Sequence, residues 1–186
     1  MNKLLNIFKS DTFKKCVIWF LMYAMIGWIY EVFLEVVVYK WGFSNRGVLF
    51  GPYCPVYGFG AMAFIFIINP LLRNKKLLHK LLLIPVIFLL CGLVATGIEL
   101  ITSYLCELFM GSWPWQTYAR DYVIHFQGRI ALSPSIRFGL GGTVFLYCLQ
   151  PLFEKFVSIF SSKKLSIISV SIIVWLLIDF MLTIIL

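Results

Sequence analysis

Residues 166–186 read SIISVSIIVWLLIDFMLTIIL, an unbroken apolar run whose one charged residue is Asp179. A helix rises about 1.5 Å per residue, so roughly 20 such residues cross a hydrocarbon core about 30 Å thick. Moving back along the chain, four more stretches have the same character: residues 137–156, 81–109, 56–72 and 16–39. The 186-residue chain is 61% hydrophobic and 13% charged, too apolar to clothe a water-soluble domain. The sequence predicts an all-α, polytopic membrane protein with about five transmembrane helices, forming a single integral membrane domain over residues 1–186. The stretch at 16–39 follows a basic start, as a signal peptide would. It runs too long and has no small-residue cleavage site, so it is expected to be retained as a span.

Lys3, Lys9, Lys14 and Lys15 precede the first stretch, Arg73, Lys75, Lys76 and Lys80 join the second to the third, and Lys155, Lys163 and Lys164 join the last two. Eleven of the sixteen basic residues thus fall on one side, leaving Lys40, Arg46, Arg120, Arg129 and Arg137 on the other. The positive-inside rule then predicts a cytoplasmic N-terminus and an external C-terminus. The net charge of +8 reads as a topology signal and an attraction to anionic lipid headgroups of the bilayer. No nucleic acid is expected as a partner, because the basic residues are scattered over short connections and form no continuous face. Of the five cysteines none forms a Cys-x-x-Cys pair, so neither a disulfide framework nor a metal site is predicted.

One element is written twice. Asn45-Arg46-Gly47-Val48-Leu49-Phe50-Gly51-Pro52 recurs as Gln127-Gly128-Arg129-Ile130-Ala131-Leu132-Ser133-Pro134, matching amide, apolar and proline positions. With a one-residue shift, Gly58-Phe59-Gly60 corresponds to Gly139-Leu140-Gly141, and Asn69-Pro70-Leu71-Leu72 to Gln150-Pro151-Leu152-Phe153. The expectation is a tandem two-helix repeat, residues 16–72 and 81–156, with the extra span 166–186. The copies would share one orientation, related by a pseudo-two-fold axis along the membrane normal. The span glycines read as positions of close helix approach.

The connection at 41–55 is apolar and interrupted by Gly and Pro, which suits a segment dipping into the bilayer under cover of protein. In the longer second connection, Trp115, Tyr118, Ala119, Tyr122 and Phe126 recur at helical spacing opposite Gln116, Arg120, Asp121 and Gln127, predicting an interfacial helix. Trp115, Tyr118 and Tyr122 would serve either as a lid over an outward-facing pocket or as an aromatic belt at headgroup level.

An ionisable group in hydrocarbon costs about 2.5–3.5 kcal/mol on insertion-based scales, so the acids within spans are the first candidates for function. Glu31 and Glu35 share a face of the first span; Glu99 lies at a similar depth in the third, with Glu107 nearer its external end. Glu31 and Glu99 meet Arg46 and Arg129 of the repeated loops at one level, with Asn45 and Gln127 beside them. Two readings stand: a substrate-binding pocket between the halves that engages a cation, a proton or an anionic group, or ion pairs that fix each loop against its span. His79 lies in a basic connection, and His125 has no nucleophile beside it. No phosphate-binding loop, H-E-x-x-H or G-x-S-x-G is present, so no catalytic residue and no cofactor is predicted, and the chain should not hydrolyse ATP by itself.

Gly27-Trp28 with Glu31, Asn45-Arg46-Gly47, the run Gly51-Pro52-Tyr53-Cys54-Pro55-Val56-Tyr57-Gly58-Phe59-Gly60, and Gly128-Arg129-Ile130 with Ser135 and Phe138-Gly139 resemble the family Putative ABC-transporter type IV. These are small ABC-transporter permease proteins of Firmicutes. The resemblance covers residues 19–151 and departs at Gln127, where members commonly have Asn. It implies a permease-like subunit in a bacterial cytoplasmic membrane and a separate ATPase subunit as partner. Connections of eight and nine residues, at 73–80 and 157–165, and the segment 1–15 are the surfaces available to dock one. Five spans are few for a complete pathway, so a homo-oligomer or a partner membrane subunit is expected. A lipid-headgroup-acting enzyme and a non-catalytic assembly or regulatory partner of another membrane protein are the alternative classes; the enzyme would need a nucleophile or metal that the sequence does not offer.

Overall fold

The computed structural model describes residues 10–185. Lys3, Lys9, the first nine residues of the 1–15 docking segment and Leu186 lie outside the described residues. Among the described residues, five helices are long and apolar enough to cross a membrane: α1 Asp11–Val38, α2 Pro55–Leu72, α4 Ile84–Met110, α6 Leu132–Ser158 and α7 Ser162–Ile185. Short elements join them: α3 Leu77–Leu82, α5 Tyr118–Asp121, and a hairpin of β1 His125–Phe126 and β2 Ile130–Ala131.

Four of these helices start earlier than their apolar runs, and α4 starts at Ile84, three residues later than its run. Ser10 caps α1, its hydroxyl accepting the Phe13 N–H at 3.2 Å, and Asp11 adds negative charge to the first turn. Pro134 sits in the first turn of α6, where a missing N–H has no intrahelical partner to lose. Both α2 and α6 widen into a π-helical turn, Phe64–Ile68 and Phe145–Leu149, directly before Asn69-Pro70 and Gln150-Pro151. Proline supplies no N–H and its ring crowds the carbonyl four residues back; a wider turn moves that carbonyl aside.

The described residues form two compact units, one of residues up to 62 with 152 onward, the other of residues 63–151. In the first, α1 packs on α7, and the connection after α1 threads beside them without regular structure. Ala24, Leu49 and Tyr53 are buried together against Leu21 and Leu176. The Cys54 N–H donates to the Ala24 carbonyl at 2.9 Å. Ala24 lies about 20 Å along α1 from Asp11, near its middle, so this connection does dip deep alongside the span. A Cβ on Gly58 would lie 2.7 Å from the Phe20 ring and 2.9 Å from its carbonyl oxygen, so only glycine permits this crossing.

In the second unit α4 packs along α6. The crossing is made the same way: a Cβ on Gly139 would meet the Phe88 ring at 2.8 Å and its carbonyl oxygen at 2.9 Å. Ile87 and Cys91 are fully buried beneath it. The connection from α4 to α6 differs from the expected interfacial helix, since among its residues helix is confined to Tyr118–Asp121. Gln127 and Gly128 both take positive φ (51° and 66°), and the Arg129 N–H donates to the Phe126 carbonyl at 2.9 Å. These are the marks of a tight hairpin turn, which ends the helical path.

Candidate functional site

In the first unit α1 carries two acids one turn apart, and their partners differ. The Tyr57 hydroxyl donates to Glu31. Glu35, buried at the end of α1, accepts the Ser44 hydroxyl at 2.7 Å and the Ser44 N–H at 3.2 Å, and pairs with Arg46 Nε at 3.0 Å. That guanidinium nitrogen is buried and off the hydrogen-bonding angle, so its contact with Glu35 is chiefly coulombic. Asn45 organises the loop around this pair: its Oδ1 accepts the Trp28 indole N–H at 2.8 Å, and its Nδ2 donates to the carbonyls of Leu49 (3.2 Å) and Phe50 (2.9 Å). Arg46 and Asn45 are therefore adjacent, while Glu31 is engaged by a tyrosine and not by Arg46.

The loop is fastened at its far end by Asp179 of α7. Its carboxylate accepts the N–H of Phe50 at 3.1 Å, the N–H of Gly51 at 2.9 Å and the Tyr53 hydroxyl. Burial, with the Asp179 carboxylate next to it, pushes the Tyr53 phenol up to about 12. Burial likewise raises the Cys54 thiol to about 11, with Glu31 adding to the effect. An apolar cavity of about 390 Å³ opens beside this loop, lined by Leu21, Met25, Pro52, Tyr53, Ile172 and Trp175. It offers no charged side chain to a polar ligand.

The second unit repeats the chemistry with other residues. On α4, Thr96, Glu99, Ser103 and Glu107 fall at i−3, i, i+4 and i+8, which makes one polar stripe down an apolar helix. Glu99 accepts the Tyr118 hydroxyl at 2.9 Å. Arg129 donates to Glu107 and reaches Ser103 at 3.4 Å. Its guanidinium lies between two rings, 4.1 Å from the Tyr104 centroid and 4.0 Å from that of Trp113, and the residue is 6% exposed. Gln127, at the turn, accepts the Tyr104 hydroxyl at 2.8 Å, and Trp115 donates its indole N–H to the Arg129 carbonyl at 2.8 Å. His125 Nδ1 accepts the Gly128 N–H at 3.2 Å and is thereby part of the turn.

Of the three candidate lid residues, Tyr118 meets Glu99 and Trp115 meets the Arg129 backbone. Tyr122 packs edge-on with Tyr118 at 5.2 Å, and the Arg137 guanidinium lies 5.9 Å from the Tyr122 ring centroid. Sequence reasoning missed Tyr57, Tyr104, Trp113 and Ser44, all now in contact with candidate residues. Ser103 and Thr96 had a usable signal, since both lie on the Glu99 face of α4. Among the described residues no three His, Cys, Asp or Glu side chains gather as a metal site.

Among the described residues, five helices long and apolar enough to cross a membrane mark a multi-pass membrane protein. The family model described as Putative ABC-transporter type IV matches residues 18–184, and the chain belongs to that family. No curated protein and no solved structure matches it.

Proposed function

We propose that this chain is the membrane subunit of a transporter in a bacterial cytoplasmic membrane, with its N-terminus in the cytoplasm and its C-terminus outside. The observation that carries the reading is the family match over residues 18–184. Residues 16–72 and 81–156 are two copies of one two-span unit. This is supported by the paired π turns before Asn69-Pro70 and Gln150-Pro151, by the Phe20–Gly58 and Phe88–Gly139 crossings, and by the parallel between Tyr57–Glu31 and Tyr118–Glu99. The working residues are Glu31, Arg46, Glu99 and Arg129 with Asn45 and Gln127. Because Arg46 and Arg129 have Glu35 and Glu107 as partners, they set the loops, and Glu31 and Glu99 are the carboxylates that handle a charged substrate or its coupling ion.

Energy comes from a separate ATPase subunit, and the assembly is a homo-oligomer or includes a further membrane subunit. Purification of the tagged full-length chain from its native membrane, followed by native mass spectrometry and an ATPase assay, tests this. A stoichiometric nucleotide-binding partner whose turnover falls in Glu31→Gln and Glu99→Gln complexes is the expected result. A chain that purifies without any such partner, or an ATPase rate indifferent to both substitutions, overturns it.

A further inference from the structure

Glu99 is the one acid of α4 whose partners do not balance its charge. It is only 8% exposed, and among the described residues its Oε2 is buried and accepts no hydrogen bond. Its Oε1 has one neutral donor, the Tyr118 hydroxyl at 2.9 Å. The nearest cation along the stripe, Arg129, is committed to Glu107 and to the rings of Tyr104 and Trp113. The groups facing Glu99 can be named element by element. On α4 itself Thr96, Ser103 and Glu107 share its face; α5 supplies Tyr118, and the hairpin supplies Arg129, which bonds Ser103 and Glu107. From α6 comes Ser135, whose hydroxyl accepts from Thr96 at 2.7 Å and donates to the Ala131 carbonyl at 2.9 Å. None of these places a second donor on Oε2.

An anionic carboxylate so placed would be a buried charge without a counter-ion, which costs several kcal/mol. Three His, Cys, Asp or Glu ligands for a metal ion do not gather there either, among the described residues. We propose that Glu99 is a proton-binding site: a proton taken from water sits on Oε2, leaves the side chain uncharged, and is held when Tyr118 leaves Oε1 and surrendered when the Tyr118 hydroxyl donates to Oε1 and stabilises the anion. The inference rests on the transporter reading above by making the coupling ion a proton.

Dicyclohexylcarbodiimide, an apolar reagent that adds to protonated carboxylic acids, tests the site without any transport assay. The full-length protein in lipid nanodiscs at neutral pH is treated with it and digested, and the adducts are located by mass spectrometry. The expected result is an adduct on Glu99 that is lost in Glu99→Gln, persists in sodium or potassium chloride, and increases in Tyr118→Phe, where the anion loses its one hydroxyl donor. An adduct that goes to Glu31 and spares Glu99, one that salt abolishes at constant pH, or one that Tyr118→Phe removes would each overturn the proposal. Elution of each variant as a monodisperse peak establishes that it is folded. A labelled Glu99 in a chain with no ATPase partner would sink the transporter assembly while leaving the proton site standing.

Discussion

Asp179 holds Tyr53. One carboxylate, on the last span, takes the phenolic hydroxyl together with the N–H groups of Phe50 and Gly51, so a single side chain satisfies three donors of a connection that has no secondary structure of its own. The acid in the otherwise uncharged run at 166–186 thus has a structural task.

Asp179→Asn keeps the shape but turns one acceptor into a donor facing donors. It should cost about 1–3 kcal/mol, and Asp179→Ala at least as much, because three donors, the Tyr53 hydroxyl buried among them, lose their acceptor. Tyr53→Phe removes one bond and should cost less, about 1 kcal/mol. Melting of the purified variants in detergent reads this, and the double variant should melt close to Asp179→Ala alone. Additive effects would mean that the two groups do not act on each other.

Gly58 and Gly139 should refuse a methyl group, while their neighbours accept one. Gly139→Ala places a Cβ 2.9 Å from a backbone carbonyl, which cannot swing aside, and should cost about 1–3 kcal/mol. Gly60→Ala and Gly141→Ala meet nothing within 4 Å and should be neutral or stabilising by up to about 1 kcal/mol. Equal melting temperatures across the four variants would contradict the crossing geometry.

Arg129 should not tolerate lysine. The flat guanidinium stacks between Tyr104 and Trp113 while bonding Glu107, and a desolvated stacked cation contributes about 2 kcal/mol or more. Arg129→Lys should therefore lower stability nearly as far as Arg129→Gln, and Trp113→Leu should weaken the same hairpin. Full retention of wild-type melting in Arg129→Lys would show that charge alone suffices.

Alkali should loosen the first unit. The Cys54 thiol is raised from 9.0 to about 11, so the folded state holds its proton where the unfolded chain gives it up. The contribution is intact below pH 9.0 and is lost as pH rises toward about 11. Tyr53 acts in the same sense from 10.0 to about 12. At pH 8 a thiolate-selective reagent should modify Cys54 roughly a hundredfold more slowly than an unperturbed thiol, and denaturing detergent should abolish the difference. Rapid labelling of Cys54 in the folded protein would refute this.

The five spans were legible because an apolar run of sufficient length has few alternatives. Their first residues were not, since Ser10 and Pro134 act through local bonds that hydropathy ignores. Arg46 and Arg129 were read as loop residues meeting Glu31 and Glu99, and in the structure they pair with Glu35 and Glu107. Which acid each one takes depends on how the loop folds back, and each takes the acid in the closing turns of its span, Glu35 or Glu107. Aromatic spacing at 115–126 suggested a helix, but the Gln127-Gly128 turn and the two indole N–H bonds to hairpin carbonyls outweigh that periodicity. The π turns of α2 and α6 left one trace, an amide residue before proline, while the π turn Leu34–Val38 that closes α1 left none.

The bond from Asp179 to the first connection also fixes an order of events during synthesis. Residues 63–151 contain the acids that take Tyr118 and Arg129 of their own loop, so these bonds can form as soon as that unit has left the ribosome. The loop at 39–54 was made earlier, yet it waits with Phe50, Gly51 and Tyr53 unsatisfied until α7 arrives to accept them. The oldest part of the nascent chain is thus the last to be finished, and a ribosome stalled before residue 179 would leave in the bilayer a protein with its second loop shut and its first still open.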